Sequence, residues 1–223
     1  MYLLKKPQNK LFSLFYNQTF LFDLLVIALF LFLSIAFPSR NSAQLLTKDL
    51  FFLFFLPIAY FKLFFSKNLS HLGFNWKNKF IGFLWSIAFL FILLLLFYLF
   101  LKHSSFPTNY QLPPEIMSNF WFFLGYELFL VNFIIFINEF FFRGFIISLF
   151  REKLKHWTIA FQALIYLSVL WFTNSLSWQI LPFILFSVSG GILTYKTKSF
   201  LYSYFLHFFV IIILDSYLIY LAK

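Results

Sequence analysis

The sequence predicts an all-α fold, a polytopic transmembrane helical bundle of about seven spans with the N-terminus inside. Three observations predict it. The chain is 62% hydrophobic and 26% aromatic with 11% charged residues, and its mean hydropathy of +0.88 lies outside the range of a soluble domain. Apolar runs long enough to cross about 30 Å of hydrocarbon recur along the chain. Basic residues gather at alternate ends of those runs, as transmembrane topology requires.

Windows of about 19 residues place the spans near 19–37, 49–66, 80–101, 120–150, 157–175, 179–195 and 199–221. The first run follows Lys5, Lys6 and Lys10 and resembles a secretory signal. It is a little long for one, and Asn41-Ser42-Ala43 is a weak cleavage site, so it reads as a retained signal anchor. Between the third and fourth runs, residues 103–119 hold Pro107, Pro113 and Pro114, whose X-Pro steps interrupt helix. That extracytoplasmic loop divides the chain into a three-helix part, 1–102, and a four-helix core, 120–223. With the N-terminus inside, Lys5, Lys6, Lys10, Lys62, Lys67, Lys77, Lys79, Arg151, Lys153, Lys155, Lys196 and Lys198 are cytoplasmic. Only Arg40, Lys48, Lys102 and Lys223 fall outside, and Arg143 stays within a span.

Composition also excludes whole classes of function. There is no cysteine, which removes disulfides, thiolate-bound metals and thiol nucleophiles. The net charge of +10 sits at the ends of apolar runs, so its partners are anionic headgroups rather than nucleic acid. Phe, with 41 copies, partitions into hydrocarbon about as well as Leu or Ile, and most of it reads as lipid-facing filler. No repeat of 20 to 50 residues is visible, so a small-solute carrier is a remote alternative resting only on the span count.

The chemistry is confined to the core. Glu139 precedes Arg143 by four residues, the favourable order for an ion pair on one helical face. Ionisable groups at bilayer depth cost on the order of 2.5 to 3.5 kcal/mol each on insertion scales, which makes the pair a functional candidate. A clasp that merely lets two charges sit inside a bundle is the equal alternative. Straight-helix counting puts Arg143 about 12 Å, Glu139 about 18 Å, His207 about 12 Å and Asn174 about 27 Å from the inner ends of their helices. Tilt blurs those depths by several Å and leaves convergence with Glu139 open; a lone His such as His207 on an apolar helix reads first as a hydrogen-bonded packing residue, and Asn174 is equally able to cap the outer end of its helix.

The order of these elements resembles the CPBP family, the type II CAAX prenyl endoproteases and the bacteriocin-processing or immunity proteins. The family pattern is Glu-Glu-x-x-x-Arg, then Phe-x-x-x-His, then His-x-x-x-Asn on successive motif helices. Here the text reads Asn138-Glu139-Phe140-Phe141-Phe142-Arg143-Gly144, Leu170-Trp171-Phe172-Thr173-Asn174, and His207-Phe208-Phe209-Val210-Ile211. The stretch Gly190-Gly191-Ile192-Leu193-Thr194-Tyr195-Lys196-Thr197-Lys198-Ser199-Phe200-Leu201 looks like the family's glycine-rich helix, basic turn and helix restart. Leu72-Gly73-Phe74-Asn75-Trp76-Lys77 resembles its linker before the third helix. The likeness covers roughly residues 65 to 215.

The resemblance implies an intramembrane hydrolase of metallo- or glutamate type. In it, the first Glu and the second-motif His would activate water, and the final His and Asn would hold the oxyanion. This chain has Asn138, Asn174 and Ile211 at three of those positions. A neutral carboxamide accepts no proton near neutrality, and general-base catalysis is worth about 10² to 10⁴ in rate. Glu139 and His207 are the surviving catalytic candidates, with Arg143 as the structural partner of Glu139. They are also the only plausible metal ligands, two where catalytic zinc takes about three plus an open position; Asp215 lies on the same face as His207 but about 12 Å further along. No cofactor is required by the pattern, and zinc enters only if the protein is active. Two readings follow: a pseudoprotease that binds a membrane peptide, lipidated chain or partner helix, which the substitutions favour, or an active intramembrane protease centred on Glu139 and His207. Either would be a multi-pass protein of a bacterial cytoplasmic membrane in contact with membrane lipids.

Overall fold

The computed structural model describes residues 10–65, 68–103, 113–173 and 181–221, with the side chains of 10–18 and 181–183 left aside. The described residues form an all-α bundle, as a chain must that has to satisfy its backbone hydrogen bonds without water. Its helices are α1 (Lys10–Ala36), α2 (Ser42–Leu50), α3 (Leu56–Phe65), α4 (Lys79–His103), α5 (Pro114–Ser118), α6 (Phe120–Leu154), α7 (Trp157–Phe172), α8 (Leu181–Thr197) and α9 (Leu201–Leu221). Four of them, α1, α4, α6 and α9, contain stretches long and apolar enough to cross a membrane. The other expected spans coincide with α2–α3, α7 and α8, which are shorter or carry more charge. Most of the expected outer loop, residues 104–112, lies outside the described residues.

Local sequence explains the breaks. Pro38 follows the last backbone bond of α1, from Phe37 to Leu33, because a proline disfavours helical geometry in the residue before it. Asn41 then caps α2 by accepting from the Gln44 amide, 2.9 Å away. A single π turn, Phe51–Phe55, joins α2 to α3 just before Pro57, whose missing N–H leaves the Leu53 carbonyl without its usual partner. Lys198, at φ 61°, reverses the chain between α8 and α9, and the Ser199 hydroxyl accepts from the Leu201 amide to start the last helix.

Two polar ties bind the front helices to the rest. Lys153 at the end of α6 lies 2.7 Å from Asp23 of α1, and the Tyr60 hydroxyl of α3 donates to the same carboxylate at 2.6 Å. The linker before α4 is clamped against the α8–α9 turn. Asn75 donates to the Lys198 carbonyl at 2.9 Å and the Ser199 hydroxyl donates to the Gly73 carbonyl at 3.1 Å. Gly73, at φ 90°, could carry no side chain here, since a Cβ would stand 2.9 Å from the Phe200 amide nitrogen.

The Phe residues divide by position. Phe80, Phe129 and Phe172 face outward, as lipid-facing filler should. Phe140, Phe141, Phe142, Phe145, Phe150 and Phe200 are instead fully buried in the largest core cluster. Hydrocarbon is no less apolar than Phe, so these rings contribute packing rather than hydrophobic transfer. Edge-to-face pairs such as Phe54–Phe140, with centroids 4.8 Å apart, and Phe74–Phe200 at 5.0 Å knit α2–α3, the linker, α6 and α9 together.

Asp23 sets a test of this arrangement. Asp23→Ala removes the carboxylate that Lys153 and Tyr60 share and should cost about 3 kcal/mol in detergent thermal unfolding. Adding Lys153→Met should recover much of that loss; no recovery would show that the pair is not what joins α1 to α6.

Candidate functional site

Three helices deliver the polar groups of the core. Glu139 ends a regular stretch of α6, and the next seven residues, Phe140–Ile146, form a π turn that contains Arg143. Such a turn widens the helix locally and recurs at functional sites. Arg143 Nη1 stands 3.3 Å from Glu139 Oε1, with the two side chains 2% and 1% exposed. The guanidinium also lies 5.7 Å from the Tyr166 ring of α7, a cation–π contact that partly replaces its hydration.

The last helix completes the shell around the carboxylate. His207 Nδ1 lies 2.9 Å from Glu139 Oε1, so the tautomer with its proton on Nδ1 donates to it. Ser203, one turn earlier on the same face of α9, donates its hydroxyl to Glu139 Oε2. Both oxygens of Glu139 are therefore engaged. The imidazole is held flat against the Phe186 ring at a centroid distance of 4.3 Å, which leaves Nε2 as its free nitrogen.

Gly190 on α8 makes the closeness feasible. A Cβ there would stand 2.3 Å from the Ser203 hydroxyl and 3.4 Å from Arg143 Nε. The glycine is thus the third wall of the site, and its place in the Gly190-Gly191 pair was visible in the sequence without its purpose.

The structure brings Glu139, Arg143 and His207 together and places Asn138, Ile211 and Asp215 elsewhere. Asn138 turns its amide back onto its own helix, donating to the Ile134 carbonyl at 3.0 Å. Ile211 is 6% exposed and packs in the second apolar cluster with Leu206, Val210 and Leu214. Asn174 lies outside the described residues. Asp215 is buried near Glu127, itself fully buried in the earlier π turn of α6. This acid pair is one that sequence reasoning missed, although each member is a lone acid in an apolar run. Ser203 was missed too; its signal was the four-residue spacing to His207.

Among the described residues no group of three or more His, Cys, Asp or Glu is placed to hold a metal. Glu139 and His207 supply two donors, and the carboxylate already accepts from Ser203 and His207 and is ion-paired with Arg143. That donor set does not fit catalytic zinc.

The comparisons with known proteins agree with the helical pattern. Residues 117–213, which contain the whole Glu139 cluster, match the family model described as type II CAAX prenyl endopeptidase Rce1-like. No curated protein and no solved structure matches the chain.

Gly190→Ala should destabilise the protein by about 1 to 3 kcal/mol, since the new methyl group overpacks the site. Removing the obstructing hydroxyl in Gly190→Ala/Ser203→Ala should restore part of it. Gly125→Ala, with open space around it, is the control and should be neutral or slightly stabilising in the same thermal unfolding measurement.

Proposed function

We propose that this protein, whose residues 117–213 match the type II CAAX prenyl endopeptidase Rce1-like family model, is a catalytically degenerate membrane member of that family that binds a membrane peptide, lipidated chain or partner helix. The observation that carries the reading is the engagement of both oxygens of the buried Glu139 by Arg143, His207 and Ser203. A general base needs a lone pair directed at a water, and this carboxylate directs its lone pairs at protein donors. Asn138 and Ile211 support the same conclusion, because neither offers a proton acceptor or an oxyanion donor to the cluster.

A surface for an extended apolar chain lies close by. Trp76, Phe83, Leu90, Phe205 and Phe209 line an almost wholly apolar groove of about 460 Å³ between α4 and α9. Its wall on α9 is the same stretch that presents His207 to the interior. The cellular setting that fits the charge asymmetry and the family is a bacterial cytoplasmic membrane, with the twelve basic loop positions inside.

One observation favours the second reading, an active endopeptidase. A carboxylate that fixes the Nδ1 proton of a histidine leaves Nε2 as a base or proton shuttle, the arrangement used in hydrolytic triads. In that case Glu139 orients and His207 reacts.

Cleavage of a fluorogenic lipidated peptide in liposomes separates the readings. The unmodified chain should show no turnover above protein-free liposomes while binding the peptide, and Asn138→Glu/Asn174→His should gain turnover. Turnover by the unmodified chain that vanishes in a folded His207→Ala variant would establish the protease instead.

A further inference from the structure

At the basic end of the bundle a second cavity, of about 530 Å³, opens between the linker before α4, the end of α6 and the end of α8. It is separate from the Glu139 cluster and none of the residues of that cluster lines it. Four cations line it, Lys77, Arg151, Lys153 and Lys198, against one carboxylate, Glu152. Lys153 is paired with Asp23. Arg151 donates one guanidinium nitrogen to the Tyr195 carbonyl at 2.6 Å, which fixes the head and leaves its remaining N–H groups for another acceptor. Among the described residues neither Lys77 nor Lys198 lies in an ion pair.

Thr194 is an independent sign of a ligand. Its side chain lines the cavity, is 4% exposed, and its hydroxyl meets no hydrogen-bond partner among the described residues. Burying a hydroxyl without a hydrogen bond is costly, so such a group usually has an occupant to bond. A hydroxyl donor beside an oriented guanidinium and two ammonium groups is the chemistry that holds phosphate oxygens.

We infer that this cavity binds the phosphate of an anionic phospholipid headgroup. Two features select a lipid over a soluble phosphate. The cavity stands at the end of the bundle where the basic loop residues gather, the end that the charge asymmetry directs to anionic headgroups. Phe61 and Phe65 of α3 form part of its wall and give the glycerol and upper acyl carbons an apolar face. The headgroup would join the linker, α6 and α8 at the point where the chain already makes its linker-to-turn hydrogen bonds.

The test is lipid titration of the full chain in a neutral detergent, read by native mass spectrometry, with short-chain phosphatidylglycerol, phosphatidylcholine and inorganic phosphate as probes. Phosphatidylglycerol should be retained over phosphatidylcholine. Each of Lys77→Gln and Lys198→Asn should weaken it about fivefold, and the pair together roughly 25-fold, at about 1 kcal/mol per cation. Asn tolerates the positive φ at that position, so the second change removes charge without a backbone penalty. Thr194→Val, close to isosteric, should weaken binding several-fold, and Lys102→Asn at the opposite end should not change it. Lipid-free melting temperatures confirm that each variant is folded. Displacement of phosphatidylglycerol by millimolar inorganic phosphate would support the phosphate site and assign it a soluble occupant. Equal retention of the two lipids, or unchanged affinity in Lys77→Gln/Lys198→Asn, would overturn the inference.

Discussion

One buried carboxylate organises the core of this bundle. Glu139 is 1% exposed, and a lone ionised acid at that depth would be untenable without compensation. Compensation comes from Arg143 on its own helix and from Ser203 and His207 on α9, so the charge can be buried only when α6 and α9 are correctly docked. Breaking such a buried set by removing one member typically costs about 3 to 5 kcal/mol, because the remaining charge stays where it is. A carboxylate under that demand is a structural tie, and the same bonds that secure it occupy the lone pairs that base catalysis would use.

The surrounding sequence is arranged to permit that tie. The π turn Phe140–Ile146 widens α6 where Arg143 must turn back towards Glu139. Gly190 brings the α8 backbone close enough to confine Ser203 and Arg143 together, and Gly144 lets the linker approach, since a Cβ there would stand 2.9 Å from the Leu72 carbonyl. The buried rings of Phe140, Phe141 and Phe142 follow Glu139 directly, and a low-dielectric interior strengthens each electrostatic contact within it. The ion pair, Gly190 and His207 meet in this cluster, whereas Asn138 and Ile211 do not enter it.

Much of this was legible in the residues. Apolar runs gave the helices, and the four-residue spacing gave the Glu139–Arg143 pair. The meeting of His207 with Glu139 was not legible from straight-helix depths of about 12 and 18 Å. Those depths assumed that both helices start from one plane, but the α8–α9 turn is recessed. Phe200 packs against Gly144 and Phe140 instead of lying level with Arg151. Side chains also lean towards the N-terminus of their own helix, so on the antiparallel α6 and α9 the two groups lean towards each other. Asp23 was readable as a lone acid in the first span, but its partners Tyr60 and Lys153 lie 37 and 130 residues away and no local pattern names them.

The most direct measurement is a set of double-mutant cycles on thermal unfolding, pairing Glu139→Gln with Ser203→Ala and with His207→Phe, and with Ser34→Ala as a distant reference. If the Glu139 carboxylate ties α6 to α9, each near pair should couple by about 1 kcal/mol or more while the distant pair adds within about 0.5 kcal/mol. Additivity in all three cycles would contradict it, and would mean that the carboxylate stands free of α9 and remains open to chemistry.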